Sequence, residues 1–137
     1  MQSLQSNSLS TYAYEPRAID HADPYPEYAG PITLDALIGE IERRRDEFDQ
    51  VSHVPRDMVA KMKRAGIFRA STPQRFGGDA LPPPQFLRIL ERIAIADGST
   101  AWVAAFGSAN TYLASLPIET QQHIYATGPD QVFSGGL

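Results

Sequence analysis

Between Asp97 and Glu119 the chain carries no charged side chain, and Ser99 to Leu116 is an unbroken uncharged run of eighteen residues. No other feature narrows the possible folds so far, because such a run has to be covered by protein or by lipid. About 20 apolar residues suffice to cross a bilayer. Here Ser99, Thr100, Ser108, Asn110, Thr111 and Ser115 make the run too polar, and aromatic-and-basic flanks are missing. It reads as a central helix over 99–116, buried on most sides. Ala104, Ala105, Gly107 and Ala109 would let neighbouring backbones come close. After it, Pro117 and Glu119 start a short helix over 118–126, which Gly128-Pro129 stops. Val132 and Phe133 read as the start of a strand.

Upstream, three more helices follow from apolar spacing. Leu34, Leu37, Ile38, Ile41 and Phe48 recur at helical intervals over 34–50, with Thr33 placed as N-cap. Glu40, Glu42, Arg43, Arg44, Asp46 and Glu47 fall on the other side, which reads as a solvated face. A second helix, 55–65, opens on Pro55 and turns Met58, Val59, Met62 and Ala65 inward. Gly66 suits a left-handed cap there, and Ile67 the hydrophobic contact of a Schellman ending. Residues 71–84 read as a loop, with a tight positive-φ turn at Gly77-Gly78. The third helix, 85–97, presents Phe86, Leu87, Leu90, Ile93 and Ala94; Gly98 would close it and Ser99 cap its successor. The expected class is therefore all-α with about five helices in residues 31–130. Residues 1–30 hold four tyrosines, three prolines and a net charge of −3 without periodicity, and read as a flexible leader.

Several chemistries drop out. With no cysteine there is no disulfide, thiolate nucleophile or cysteine metal site. His21, His53 and His123 stand far apart, none with an acid or second histidine one helical turn away, so no metal site is expected. The serines lack a nucleophile elbow, the glycines match neither phosphate-binding motif, and the net charge of −4 argues against nucleic acid. No basic-then-apolar opening points to a secretory signal or membrane anchor, so a soluble cytoplasmic protein is expected.

A resemblance goes further. Pro55, then Ala65-Gly66-Ile67-Phe68 and Pro73-Gln74-Arg75-Phe76-Gly77-Gly78 stand in order along the chain. Glu91, Ala94, Asp97-Gly98-Ser99-Thr100-Ala101-Trp102 and Pro117-Ile118-Glu119-Thr120-Gln121 follow them. In order and spacing, the stretch from Pro31 to Leu137 resembles the N-terminal helical domain of the acyl-CoA dehydrogenase superfamily. The resemblance implies a flavoenzyme with two further domains, a β domain beginning near residues 131–137 and a C-terminal helical bundle. It implies FAD or FMN in the full-length protein, held mainly by those domains, with none bound by this chain alone. It also implies a homo-tetramer. Catalytic residues are not assigned here, because the family's catalytic glutamate belongs to the C-terminal part.

Two reactions share that fold: desaturation of an acyl-CoA thioester, and hydroxylation of an aromatic substrate by the oxygenase component of a two-component monooxygenase. The Asp97-to-Trp102 motif is closer to the monooxygenase branch, yet no histidine stands near Ser108, Ala109 and Asn110, where some hydroxylases have one. Desaturation is therefore put first and hydroxylation second; a non-catalytic helical interaction module is the alternative of another class. In the family the central helix walls the substrate cavity. Trp102, Phe106 and Asn110 are the substrate-binding candidates, with Val103 and Ser99 beside them. Phe106 and Asn110 share a face of a regular helix. Either Asn110 reaches a cavity, or it bonds a backbone carbonyl and Phe106 is core.

Overall fold

The computed structural model of the chain describes residues 30–133. The readings placed on residues 1–29, including His21 and the leader, and on 134–137 lie outside the described residues. Six α-helices occur among those described: α1 (Leu34–Val51), α2 (Arg56–Arg64), α3 (Pro83–Ala96), α4 (Gly98–Ala105), α5 (Asn110–Leu113) and α6 (Ile118–Ile124). 3₁₀ turns occupy Gln74–Phe76, Phe106–Ala109 and Tyr125–Thr127. Within these residues there is no strand, and the class is all-α as expected. Val132 and Phe133 lie in irregular chain. No described helix is long and apolar enough to cross a membrane.

The helix ends follow local chemistry. The Thr33 hydroxyl accepts from the Ala36 amide at 3.2 Å and caps α1. After α2, Gly66 adopts φ +81°; its amide bonds the Lys63 carbonyl at 2.9 Å and the Ile67 amide bonds that of Met62 at 3.1 Å. Those two bonds make the Schellman ending, and Ile67 is buried beside them. Three boundaries differ from expectation. Pro55 is the residue before α2 rather than its first, and α3 starts at Pro83, since a first turn has no use for the amides that Pro83 and Pro84 lack. Asp97, not Gly98 or Ser99, divides α3 from α4: extended at φ −160°, it accepts the Thr100 amide on its carboxylate at 2.6 Å.

The core gathers Leu37, Ile41 and Phe48 of α1, Met58 and Met62 of α2, Ile67 and Phe68 after it, and Phe86 and Ile93 of α3. Ala104 brings α4 onto this cluster. Gly39, inside α1, has open space where a Cβ would stand. Gly39→Ala should therefore stabilise the chain by about 1 kcal/mol, the helix-propensity difference, read as a higher urea midpoint at unchanged slope.

The charged side of α1 is not a purely solvated face. The Arg44 guanidinium grips Asp57 of α2 with Nη1 at 2.5 Å and Nη2 at 3.3 Å, while Glu47 takes its Nε and Nη2. Glu40 receives Lys61 of α2 at 2.5 Å and also pairs with Arg43. Side chains of Glu40, Arg44, Asp57 and Lys61 are each a fifth exposed or less, and this ionic clasp fastens α1 to α2. Hydrogen bonds from Lys61 to Glu40, and from Arg44 to Asp57, hold both carboxyls below the usual carboxylate range. A depressed native pKa gives stability that is complete above the unfolded value, about 4, and fades as pH falls through the native one. Asp57→Asn should thus cost about 1 kcal/mol at pH 7 and flatten the decline in melting temperature below pH 4.

Candidate functional site

The uncharged run is not one helix. It goes α4, a 3₁₀ turn, then α5, and the hydroxyls explain the tightening. Ser108 Oγ donates to the Ala105 carbonyl at 2.6 Å, Thr111 Oγ1 to Ser108 at 2.8 Å and Ser115 Oγ to Tyr112 at 2.8 Å. Each competes with the regular i→i−4 ladder. The bend falls where the run meets the segment after α2: a Cβ on Gly107 would stand 2.9 Å from the Ile67 carbonyl oxygen. Close approach at small residues was the expectation, and Gly107 is where it happens. Burial on most sides was not what the chain shows. Thr100, Ala104, Gly107 and Asn110 face the core, while Trp102 is 71% and Tyr112 79% exposed.

This geometry sorts the substrate candidates. A 3₁₀ turn advances about 120° per residue against about 100° in an α-helix, and residues three apart eclipse. Asn110 therefore stands below Gly107, inward, and parts from Phe106. It is 2% exposed; its Nδ2 donates to the Phe68 carbonyl at 2.8 Å and to Thr72 Oγ1 at 3.0 Å. Trp102 and Phe106 stay together, edge to face with centroids 6.1 Å apart. They line an open groove of about 400 Å³, floored by Ala105 and Ala109 and completed by Tyr112 and Phe133. Val103 is half-buried against the core and Ser99 is exposed, outside the groove.

Chemically the groove is aromatic and uncharged. Four aromatic side chains can meet a planar ligand by edge or face. No carboxylate, histidine or cation lines it, and among its described walls the side-chain hydroxyls are those of Ser108 and Tyr112. Among these described walls no cationic side chain stands ready for a phosphate. A second groove, of about 500 Å³, runs between α3 and α4 past Leu87, Leu90, Ala94 and Ala101, and Trp102 forms the ridge between the two. Among the described residues no cluster of three or more histidines and acids is placed to hold a metal ion. Sequence reasoning missed Tyr112 and Phe133. Tyr112 carried a usable signal, a large aromatic amid Thr111, Ala114 and Ser115 where burial would favour an aliphatic residue. Phe133 carried none, because it reaches the groove from irregular chain.

The comparisons with known proteins agree with this architecture. The family described as "Acyl-CoA dehydrogenase, N-terminal domain" matches residues 35–126. An indole-3-acetate monooxygenase of Acinetobacter baumannii is 46% identical over 108 residues, covering 77% of this chain and 28% of that protein. The oxygenase subunit HsaA of a flavin-dependent monooxygenase from Rhodococcus jostii is 31% identical, covering 71% of this chain and 26% of its own. In structure, the 3-HSA hydroxylase of Rhodococcus sp. RHA1 superposes with a TM-score of 0.68 at 30% identity, over 72% of this chain and 26% of that one. The chain thus spans little more than a quarter of the length of these relatives.

Proposed function

The chain belongs to the acyl-CoA dehydrogenase family as its N-terminal domain, and from that premise we propose that it serves a flavin-dependent aromatic monooxygenase, as part of the oxygenase component. Its task there is to wall the substrate side of the site. The observation that carries this reading is the uncharged groove of Trp102, Phe106, Tyr112 and Phe133, which suits a flat apolar ring. The relatives just described support the same choice, since each is a monooxygenase or hydroxylase. Hydroxylation thereby takes precedence over the acyl-CoA desaturation that the resemblance placed first.

In this reading Trp102 and Phe106 contact the substrate, and Asn110 supports the wall from behind. The small side chains of Ala105 and Ala109 leave room for a ring to lie flat. The groove gives that ring an apolar surface without offering it a charge. A reduced flavin, FAD or FMN, would supply the electrons that activate dioxygen, and its phosphates would be held outside this groove. The region beyond residue 130 leads into the β domain. Indole-3-acetate is the first substrate to try, given the 46% identity to the enzyme named for it.

The test is an assay of the whole protein with a flavin reductase, NADH, dioxygen and an aromatic acid, beside an acyl-CoA desaturation assay. The expected result is a hydroxylated aromatic product. Desaturation of the thioester with no oxygen incorporation into any aromatic compound would reverse the choice.

A further inference from the structure

Thr72 is fully buried, and each of its polar groups has a partner. Its amide donates to the Arg69 carbonyl at 3.0 Å, and its carbonyl accepts the Ala80 amide at 3.0 Å. Its hydroxyl accepts from Asn110 Nδ2 at 3.0 Å and donates to the Pro129 carbonyl at 2.9 Å. Donor and acceptor types set the direction. An amide nitrogen only donates and a carbonyl only accepts, so the hydroxyl proton goes to Pro129, and the buried Tyr125 hydroxyl close by can meet Thr72 only as a second donor to it. Asn110, Thr72 and Pro129 thus form a one-way relay from α5, through the segment after α2, to the chain that leaves the helical body.

Pro129 stands at the root of the stretch that brings Phe133 to the groove wall. That stretch has no regular structure of its own, and its Gln131 side chain bonds back only locally, to Gly128 and Thr127. Apolar contacts reinforce the same junction. Pro129 lies against Gly77, whose Cβ position is 3.6 Å from its ring, and Tyr125 stacks on Phe76 at 4.5 Å.

We propose that Thr72 is a positioning residue of the aromatic groove: its hydroxyl, aimed by Asn110, fixes the Pro129 carbonyl and so sets Phe133 opposite Trp102 and Phe106. Thr72 itself does not line the groove. The role rests on the reading of that groove as the substrate's.

The chain has one tryptophan and no cysteine, which allows a direct test. A nitroxide attached through Phe133→Cys should quench Trp102 fluorescence at contact range. Adding Thr72→Val, which keeps the shape and removes the hydroxyl, should abolish most of that quenching while the helical circular dichroism persists; Thr72→Ser should restore it. Weak quenching in the otherwise native chain, or full quenching in a folded Thr72→Val chain, would overturn the proposal. If Thr72→Val does not fold, the native chain decides by NMR: a slowly exchanging Thr72 hydroxyl proton supports the relay, and one exchanging freely with water refutes it. In the whole enzyme Thr72→Val should raise KM for the aromatic substrate about tenfold, more than it lowers kcat, with rescue by serine. Lost quenching with an unchanged KM would keep the relay and remove the groove from the substrate's path, so the two failures are distinct.

Discussion

Gly78→Ala should cost about 3–5 kcal/mol, enough to remove most of the stability of a small domain. Gly78 does not need a positive φ; the reason is space. A Cβ built there would lie 2.1 Å from the Thr72 carbonyl oxygen and 2.4 Å from the Thr72 Cβ. Neither neighbour can yield. Thr72 is held through its amide, carbonyl and hydroxyl, and the residues after Gly78 are laced to the same segment. Asp79 donates to the Arg69 carbonyl at 3.1 Å, Ala80 to Thr72 at 3.0 Å and Leu81 to Ala70 at 2.7 Å. A methyl group would have to separate these two lengths of backbone and break several of those bonds at once. Both alanine variants gain the same unfolded-state benefit, of the order of 0.4–1 kcal/mol, so Gly39→Ala serves as the control with opposite sign. Urea titration of both variants reads the difference. A Gly78→Ala chain with the native midpoint would mean that residues 72 and 78 are not in contact.

This tight apposition marks where sequence reasoning stopped. Gly77-Gly78 was legible as a turn, and Gly77 does adopt φ +86°; that Gly78 is there for close approach depends on a partner six residues earlier. Local chemistry was the legible part. Thr33, Gly66 and Ile67 act on amides and carbonyls within one turn, so their roles could be read directly. The Asp97 cap is equally local, but two neighbours, Gly98 and Ser99, fit the same duty by type. The clasp of Arg44 and Glu40 with Asp57 and Lys61 had no signature, because a charge on one helix does not say which helix it reaches. At the site, Trp102, named as a flank of the Phe106–Asn110 stripe, stands with Phe106 on the groove because α4 runs regularly up to the 3₁₀ turn that Phe106 opens. Asn110 lies beyond the 3₁₀ turn, where a regular helix could not decide between a cavity and a backbone carbonyl; the turn carries it inward, to the Phe68 carbonyl. Ser108 and Thr111, both able to bond back to the preceding turn, were the visible warning.

Asn110→Ala should lower the melting temperature of the chain by roughly 8–16 °C, the equivalent of about 2 kcal/mol in a domain of this size. The loss has two parts. The Phe68 carbonyl and the Thr72 hydroxyl both lose their donor inside the body, and a small void replaces the amide. One feature limits the effect: Asn110 Oδ1 is buried with no hydrogen-bond partner, so the native residue already bears part of a desolvation penalty that alanine removes. Asn110→Asp separates these contributions. It keeps the volume, substitutes a second acceptor for the donor, and brings a charge into a site with no cation hydrogen-bonded to it, so it should destabilise more than alanine at pH 7. Protonation at lower pH should recover part of the loss, because a carboxyl without a partner in the core has a raised pKa and regains its donor once neutral. Turnover gives the complementary reading. Had Asn110 pointed into the groove, its removal would have reduced kcat at an unchanged melting temperature. Placed behind the wall, it should instead lower stability and raise KM through Thr72, leaving kcat per folded molecule close to native. A variant with the native melting temperature and a reduced kcat would return Asn110 to the substrate.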